Sequence, residues 1–253
     1  MLRLFTDTTI LALRRTARSW LAALSIPIYG FVFILAARLL LPIPMLGSLL
    51  LGFVGAAFCA GYLSLLASAV AGQPIRLVDL KNGLRAIWDV VSVLFIMWII
   101  GLVLGPIVAA AGPRGEAISG VVQLAIAIFF NAVPETLYLG GERSIQAIKK
   151  SASFVMEHPV AWFGPNLVLA FVFFWATGNL YFSSFGELVV RLSTLASVQG
   201  VLMLIVGAAG HLWKMPLLIV FVHFAMVFRG LLYRELGTGS TRMRDFRRRM
   251  GNS

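Results

Sequence analysis

Long apolar runs with very few charged residues constrain this chain most. A helix of about 20 apolar residues crosses the ~30 Å hydrocarbon core of a bilayer. Five runs reach that length: Ser19–Pro42, Met45–Gly72, Ile87–Ala111, Ile118–Gly140 and Val160–Phe185. The composition agrees, because 60% of the residues are hydrophobic and 12% are charged, whereas soluble domains carry about 25% charged residues. The sequence predicts an all-α, polytopic membrane bundle.

The last apolar stretch, Ala196–Tyr233, is long for one span and short for two. Two full spans would carry the basic C-terminus to the opposite side, so we interpret Trp213–Tyr233 as a sixth span. Ala196–Leu212 is then re-entrant, interfacial or the overhanging end of a long sixth helix. We predict one bundle over residues 1–236 and a basic tail over 237–253, with Ser19–Pro42 as an uncleaved anchor because it is too long for a signal h-region.

The basic residues predict an orientation. With six spans and the N-terminus inside, almost all of the 21 Lys and Arg residues lie on one side of the membrane. Only Arg38, Arg114 and Arg191 lie on the other side, and Lys214 lies within the last apolar stretch. Cytoplasmic loops carry such an excess of positive charge. We therefore expect both termini in the cytoplasm.

An internal repeat is visible in the basic segments before the first, third and fifth spans. They are Ile10–Arg18, Leu77–Arg85 and Ile145–Ser153, and a tryptophan follows each: Trp20, Trp88 and Trp162. Each segment places a basic residue at the same point and a small residue two positions later. This pattern, at almost equal spacing, predicts three units of one surface helix and two spans. The units cover about 1–72, 73–140 and 141–236.

The three segments have the periodicity of amphipathic helices lying in the headgroup plane. In the first, Leu2, Phe5, Thr9, Leu13 and Trp20 share an apolar face. Basic side chains on such helices gain about 1 kcal/mol each from an anionic leaflet. The predicted headgroup contacts are Arg14, Arg15, Arg18, Lys81, Arg85, Lys149, Lys150, Arg247 and Arg248. The helices either recognise lipid or act as elbows that orient the bundle, and the second role is the simpler one.

The arginine-rich tail favours a membrane surface over a nucleic acid. Residues 241–249 contain five arginines, but no aromatic platform or folded basic domain accompanies them. Contact with anionic lipid explains the tail more simply.

Catalytic signatures are absent from the sequence. It contains no GxSxG, HExxH, P-loop or GxGxxG motif, its three histidines are scattered, and Cys59 is its one cysteine. No i, i+3 or i+4 pair of His, Asp or Glu lies within a span, as a helical metal site requires. We predict no enzyme activity, no metal and no cofactor.

Ionisable residues inside spans are the remaining candidates for a functional site. At 1.5 Å per residue, Glu135 in the fourth span lies at a depth where it meets Arg229 or His223 in the sixth. Pro134 frees the carbonyl of Phe130, which Asn131 is placed to satisfy. The candidate site is therefore Glu135, Asn131, His223 and Arg229. It is either a polar gate or proton- or solute-handling site, or a structural ion pair near the inner interface.

Small residues at helical spacing indicate close helix packing. Gly101 and Gly105 form a GxxxG motif in the third span, and Gly52, Ala56 and Ala60 repeat the spacing in the second. They serve either packing within the bundle or association of subunits, and we expect packing within the bundle.

The run Glu142–Ser151 (ERSIQAIKKS), after Pro134 and Glu135, resembles an inner loop of two bacterial six-helix families. These are the YciC-like inner-membrane proteins and the membrane domain attached to some glycerophosphoryl diester phosphodiesterases. The ending Phe228–Leu236 (FRGLLYREL) is similar to theirs. The resemblance implies a bacterial inner-membrane bundle of largely unassigned function, without the catalytic domain of the phosphodiesterases.

Three functions follow as hypotheses. The first is a non-enzymatic structural, accessory or scaffold subunit that acts with other membrane subunits or as a homo-oligomer. The second is a small-solute transporter or channel that uses polar residues of spans four to six. The third is a lipid-handling or membrane-shaping protein. A hydrated cavity reaching Glu135 and His223 favours transport, a dry core favours a scaffold, and a lateral opening favours lipid handling.

Overall fold

The computed structural model describes residues 2–43, 45–177 and 215–237, and within them the regular elements are all helical. A single 3₁₀ turn, Gly112–Arg114, joins two of the helices. The α-helices are α1 (Leu2–Arg18), α2 (Trp20–Leu40), α3 (Leu46–Ala71), α4 (Leu77–Arg85), α5 (Ile87–Ala110), α6 (Gly115–Phe129), α7 (Val133–Tyr138), α8 (Ser144–Glu157), α9 (Pro159–Thr177) and α10 (Met215–Gly237). The predicted segment Ala196–Leu212 and the tail after residue 237 lie outside the described residues.

Within the described residues, five stretches are long and apolar enough to cross a membrane, as an integral membrane protein requires. They are α2, α3, α5, the combined stretch Ala117–Tyr138, and α10. In the predicted fifth span, Val160–Phe185, the apolar part that is described, Pro159–Phe173, is shorter than a full span. The remainder of that span beyond Thr177 lies outside the described residues.

The fourth span is not the continuous helix that we expected. Helix α6 ends at Phe129 and α7 begins at Val133. Pro134 explains the restart, because its ring clashes with the carbonyl four residues earlier in a continuous helix but is tolerated in a first turn. Our expectation for Asn131 was wrong, since the carbonyl of Phe130 accepts a hydrogen bond from the backbone N–H of Val133 at 3.1 Å.

The interruption is bound to α8. The hydroxyl of Ser151 donates to the carbonyl of Phe129 at 2.7 Å and accepts from the backbone N–H of Ala132 at 3.2 Å. One buried side chain thus satisfies two backbone groups that the break leaves without helical partners.

Three short helices pack more extensively on another span than on the helix that follows each of them. Helix α4 packs on α3, α8 on α5 and α7, and α1 on α10. The buried residues in the described part of α1 and at the position after it are Thr8, Ala12, Thr16 and Ser19, whereas Leu13 of the predicted apolar face is 56% exposed. Leu4 and Phe5 are partly buried against the core, so the large apolar side chains that face outward lie in the second half of the helix.

Helix α4 approaches α3 more closely than any side chain at the crossing would allow. A Cβ added to Gly83 would lie 2.7 Å from the Cα of Gly61 and 3.0 Å from the carbonyl oxygen of Ala60. The hydroxyl of Ser64 donates to the backbone carbonyl of Asp79 at 2.7 Å in the same contact. Gly83 is therefore required by the backbone of its neighbour.

Helix α5 lies at the edge of the described bundle. Only Val90 and Val93 among its residues are buried. A Cβ on Gly101 or Gly105 would find nothing within 4 Å in the described part of the chain. Among the described residues this GxxxG motif therefore meets no partner. In α3, Ala56 and Ala60 are buried as expected, whereas Gly52 is exposed.

Candidate functional site

A buried ion pair joins α7 to α10. Glu135 of α7 has no exposed surface, and Arg229 of α10 is 8% exposed. Nε of Arg229 lies 2.8 Å from Oε1 of Glu135, and Nη2 lies 3.2 Å from Oε2. This two-pronged geometry matches the planar guanidinium to the planar carboxylate. The ion pair joins two residues that the sequence predicted at similar depths in their spans.

Asn131 completes the pair from the break between α6 and α7. Nη2 of Arg229 also donates to its backbone carbonyl, which the interrupted helix leaves available. The side-chain oxygen of Asn131 accepts from the indole N–H of Trp162 at 2.8 Å. Asn131 thus holds the guanidinium with its backbone and the indole with its side chain.

Aromatic side chains enclose the guanidinium. Its carbon lies 5.1 Å from the ring centroid of Trp162, within the range of a cation–π interaction. Trp162 contacts Phe154 of α8 edge to face at 5.2 Å between centroids, and Phe154 lies 4.4 Å from the ring of Tyr233. The ion pair is therefore desolvated by α8, α9 and α10 together, and its charges are balanced by protein groups.

His223 does not join this site, although the sequence allowed it to meet Glu135. Nε2 of the imidazole lies 2.8 Å from the hydroxyl of Ser19, and Nδ1 lies 3.1 Å from the hydroxyl of Tyr62. These partners come from the α1–α2 junction and from α3. His223 therefore belongs to a second buried polar cluster, in which α10 contacts the α1–α2 junction and α3 instead of α7.

One set of proton positions satisfies the whole His223 cluster. The Ser19 hydroxyl lies 2.7 Å from the carbonyl of Arg15 and donates its single proton there. It then accepts from Nε2–H of a neutral His223, whose Nδ1 accepts from the Tyr62 hydroxyl. Each polar side-chain atom of this cluster has a protein partner, so the cluster links α1, α3 and α10 without requiring a solvent molecule.

The predicted headgroup contacts are mostly exposed. Arg14, Arg18, Lys81, Arg85 and Lys149 are solvent-accessible, while Arg247 and Arg248 lie outside the described residues. Lys150 is also exposed but pairs with Glu142 at 2.8 Å. Arg15 differs from the others because its guanidinium is partly buried against the turn at Gly72.

Sequence reasoning missed Trp162, Ser151, Ser19 and Tyr62 as members of these clusters. Trp162 and Ser151 did stand out as repeated positions, which is a signal that they occupy equivalent places in the fold. Ser19 and Tyr62 carried no such signal, because their role depends on a histidine far away in the chain.

The described residues contain no group of three or more His, Cys, Asp or Glu side chains that could hold a metal ion. No family model, no curated protein and no solved structure matches this chain. The function is therefore argued from the geometry of the two clusters.

Proposed function

We propose that this protein is a non-enzymatic structural, accessory or scaffold subunit of the bacterial inner membrane, acting with other membrane subunits or with copies of itself. The observation that carries the proposal is the pairing of the buried ionisable residues Glu135, Arg229 and His223. Glu135 is fully buried, and both of its oxygens accept from Arg229. His223 is fully buried and both of its ring nitrogens have protein partners. A transport site instead keeps polar groups open to water or solute.

The proposal includes six spans with both termini in the cytoplasm, and a tail over residues 237–253 on the anionic leaflet. The charge distribution along the sequence supports this orientation. The resemblance to YciC-like proteins and to the membrane domain of some glycerophosphoryl diester phosphodiesterases is part of the same proposal, carried by Glu142–Ser151 and Phe228–Leu236.

We also propose that the three units are structural repeats. Two helix starts support it: Arg76 before α4 and Arg143 before α8 have nearly equal backbone angles, φ −123° and ψ 152° against φ −121° and ψ 145°. A glycine with positive φ precedes each start, Gly72 and Gly141. The equivalent carbonyls of Asp79 and Ala147 accept from a hydroxyl on the preceding span in both units.

The helix contacts close the proposed repeat into a ring. Helix α4 packs on the return span of the first unit, α3, and α8 packs on the return span of the second unit, α7. Helix α1 packs on α10, the return span of the third unit. The aligned small residues Thr16, Gly83 and Ser151 are all buried in these contacts. The short helices then serve as elbows that lock each unit onto the one before it.

A water-soluble thiol reagent tests whether the core is dry. Cys59 is replaced by Ala, and a single cysteine is introduced at Thr136, which is fully buried beside Glu135. The matched control is a cysteine at Ser153, which is exposed on α8. We expect the control to react in intact membranes and the Thr136→Cys thiol to react only after denaturation. Reaction of Thr136→Cys in the folded protein at a rate near that of the control would favour the transporter.

A further inference from the structure

We propose that Arg15 and Arg234 form a binding site for a phosphate group at the seam where α1, α3 and α10 meet. The site goes beyond the scaffold role and does not depend on it. The ligand is a phosphate group, either the phosphate ester of a lipid headgroup or a free phosphate anion in solution.

The first observation is an unpaired donor. Nη1 of Arg15 is buried and has no hydrogen-bond partner in the described part of the chain. A buried N–H of a charged group is rarely left without an acceptor, because the desolvation is then uncompensated. Arg229, which is buried as a whole residue, has a carboxylate and a carbonyl for its donors. The contrast indicates that the acceptor for Nη1 of Arg15 comes from outside the described residues.

The second observation is the position of the guanidinium. The Cζ atom of Arg15 lies 3.4 Å, and Nη2 3.6 Å, from the point that a Cβ on Gly72 would occupy. Gly72 ends α3 with φ +76°, and the carbonyls of Ala69 and Ser68 accept from the backbone N–H groups of Gly72 and Gln73. The negative end of the α3 dipole favours a cation there. The carbonyls do not, however, supply the missing hydrogen bond.

The third observation is a second positive charge. Burial lowers the pKa of Arg15, and the nearby charge of Arg234 lowers it further. Arg234 is exposed in the last turn of α10, on the helix against which α1 packs. An anion that lies between two guanidinium groups offsets the repulsion between them. Phosphate oxygens are spaced so that they can accept two N–H hydrogen bonds from one guanidinium group.

Exposed apolar and basic side chains lie next to Arg15 in the chain. Leu13 of α1 and Trp20 at the start of α2 are more than half exposed, as expected of a surface whose apolar side chains face acyl chains. Arg14 and Arg18 flank Arg15 on the same helix and are exposed. Arg15 is thus the partly buried member of a basic surface, and Arg234 brings α10 into the site.

Thermal unfolding of the full-length protein in detergent micelles tests the site. The probes are phosphatidylglycerol, diacylglycerol with the same acyl chains but no phosphate, inorganic phosphate, and sodium chloride at matched ionic strength. We expect phosphatidylglycerol to raise the unfolding temperature at a lower concentration than diacylglycerol does. Inorganic phosphate raising it as effectively, with no effect of sodium chloride, would identify a soluble source and would still support the site.

Variants distinguish a built site from general surface charge. We expect Arg15→Gln and Arg234→Gln each to increase the half-maximal concentration of the effective probe about tenfold, since a hydrogen bond to a charged group contributes about that factor. Arg3→Gln removes the same charge from an exposed position near the start of α1 and should change that concentration by less than about threefold. If Arg15→Gln does not fold, the exposed Arg234→Gln carries the test.

Two results overturn the proposal. One is a wild-type protein whose unfolding temperature responds equally to phosphatidylglycerol and diacylglycerol and does not respond to inorganic phosphate. The other is an equal loss in Arg3→Gln, Arg15→Gln and Arg234→Gln, which shows diffuse attraction alone. Neither result contradicts the scaffold proposal, because the scaffold proposal depends on the exclusion of water from the Glu135 cluster.

Discussion

The α3–α4 crossing and helix α5 both carry small residues at helical spacing, yet they differ in what those residues meet. At the crossing, Gly83 lies so close to Gly61 and Ala60 that no side chain fits. In α5, Gly101 and Gly105 meet no other described residue at the Cβ position. The spacing of small residues therefore indicates that a helix can pack closely, but not where its partner lies.

The same contrast holds for polar residues. Glu135, Arg229 and His223 are buried and hydrogen-bonded where α1, α3, α7 and α10 converge. In the described part of α5 the polar side chains lie near its start: the hydroxyl of Ser92 donates to the carbonyl of Trp88, and Asp89 lies 3.8 Å from Arg143. We conclude that the stability of the bundle is concentrated at the convergence, and the predictions below test that contrast.

The largest loss is expected for Glu135→Gln. The substitution leaves the charge of Arg229 buried without its counter-ion, which costs about 3–5 kcal/mol of the free energy of unfolding. Equilibrium unfolding in mixed detergent micelles measures it. The matched control is Lys150→Gln, which breaks the exposed pair with Glu142 and should cost less than about 1 kcal/mol. Equal losses in the two variants would mean that burial of the Glu135 pair contributes nothing.

Gly83→Ala should be the next most damaging change. Its methyl group enters the backbone of α3, and overpacking of this kind costs about 1–3 kcal/mol. Gly101→Ala is the control, because its methyl group meets open space, and we expect no loss of stability. The same unfolding measurement compares the two, and a loss in Gly101→Ala as large as that in Gly83→Ala would contradict the packing contrast.

Ser151→Ala should weaken the interruption of the fourth span. It leaves the Phe129 carbonyl and the Ala132 N–H without their partner, at a cost of about 1–2 kcal/mol. Hydrogen exchange should become faster at the Ala132 amide. Ser153→Ala, which removes an exposed hydroxyl bonded to Glu157, should leave that exchange rate unchanged, and a similar acceleration in both variants would show that α8 does not hold the break.

Tyr62→Phe is expected to have the smallest measurable effect. It removes the donor to Nδ1 of His223 and retains the ring, so the loss should be about 1 kcal/mol. The imidazole chemical shifts of His223 should change with it, because Nδ1 then lacks its partner. Unchanged shifts would mean that the hydroxyl does not bond to the ring in solution.

Periodicity and charge predicted the helices and the apolar spans because those follow from local composition along the chain. Pro134 signalled a disturbance in the fourth span, but the end of α6 at Phe129 depends on Ser151, which lies on another helix. The Glu135–Arg229 contact could be predicted by counting residues from the ends of the spans, since both residues lie near the same end. The partners of His223 could not be predicted in this way, because a depth does not specify which face of α10 meets α1 and α3.

The faces of α1 show the same limit. Its apolar periodicity indicated one face, but the contact with α10 uses Thr8, Ala12 and Thr16. In a bilayer the apolar side chains are satisfied by lipid, and close approach between helices depends on small residues. Hydrophobicity alone therefore identifies the lipid side of such a helix better than its protein side.

The central claim is that Glu135 and Arg229 are stabilised by each other, and a double-mutant cycle tests it most directly. The free energy of unfolding is measured for the wild type, Glu135→Gln, Arg229→Gln and the double variant. We predict that the double variant loses less than the sum of the single losses, with a coupling of about 2 kcal/mol or more. Additive losses would contradict the claim and would show that water or another group stabilises each charge separately.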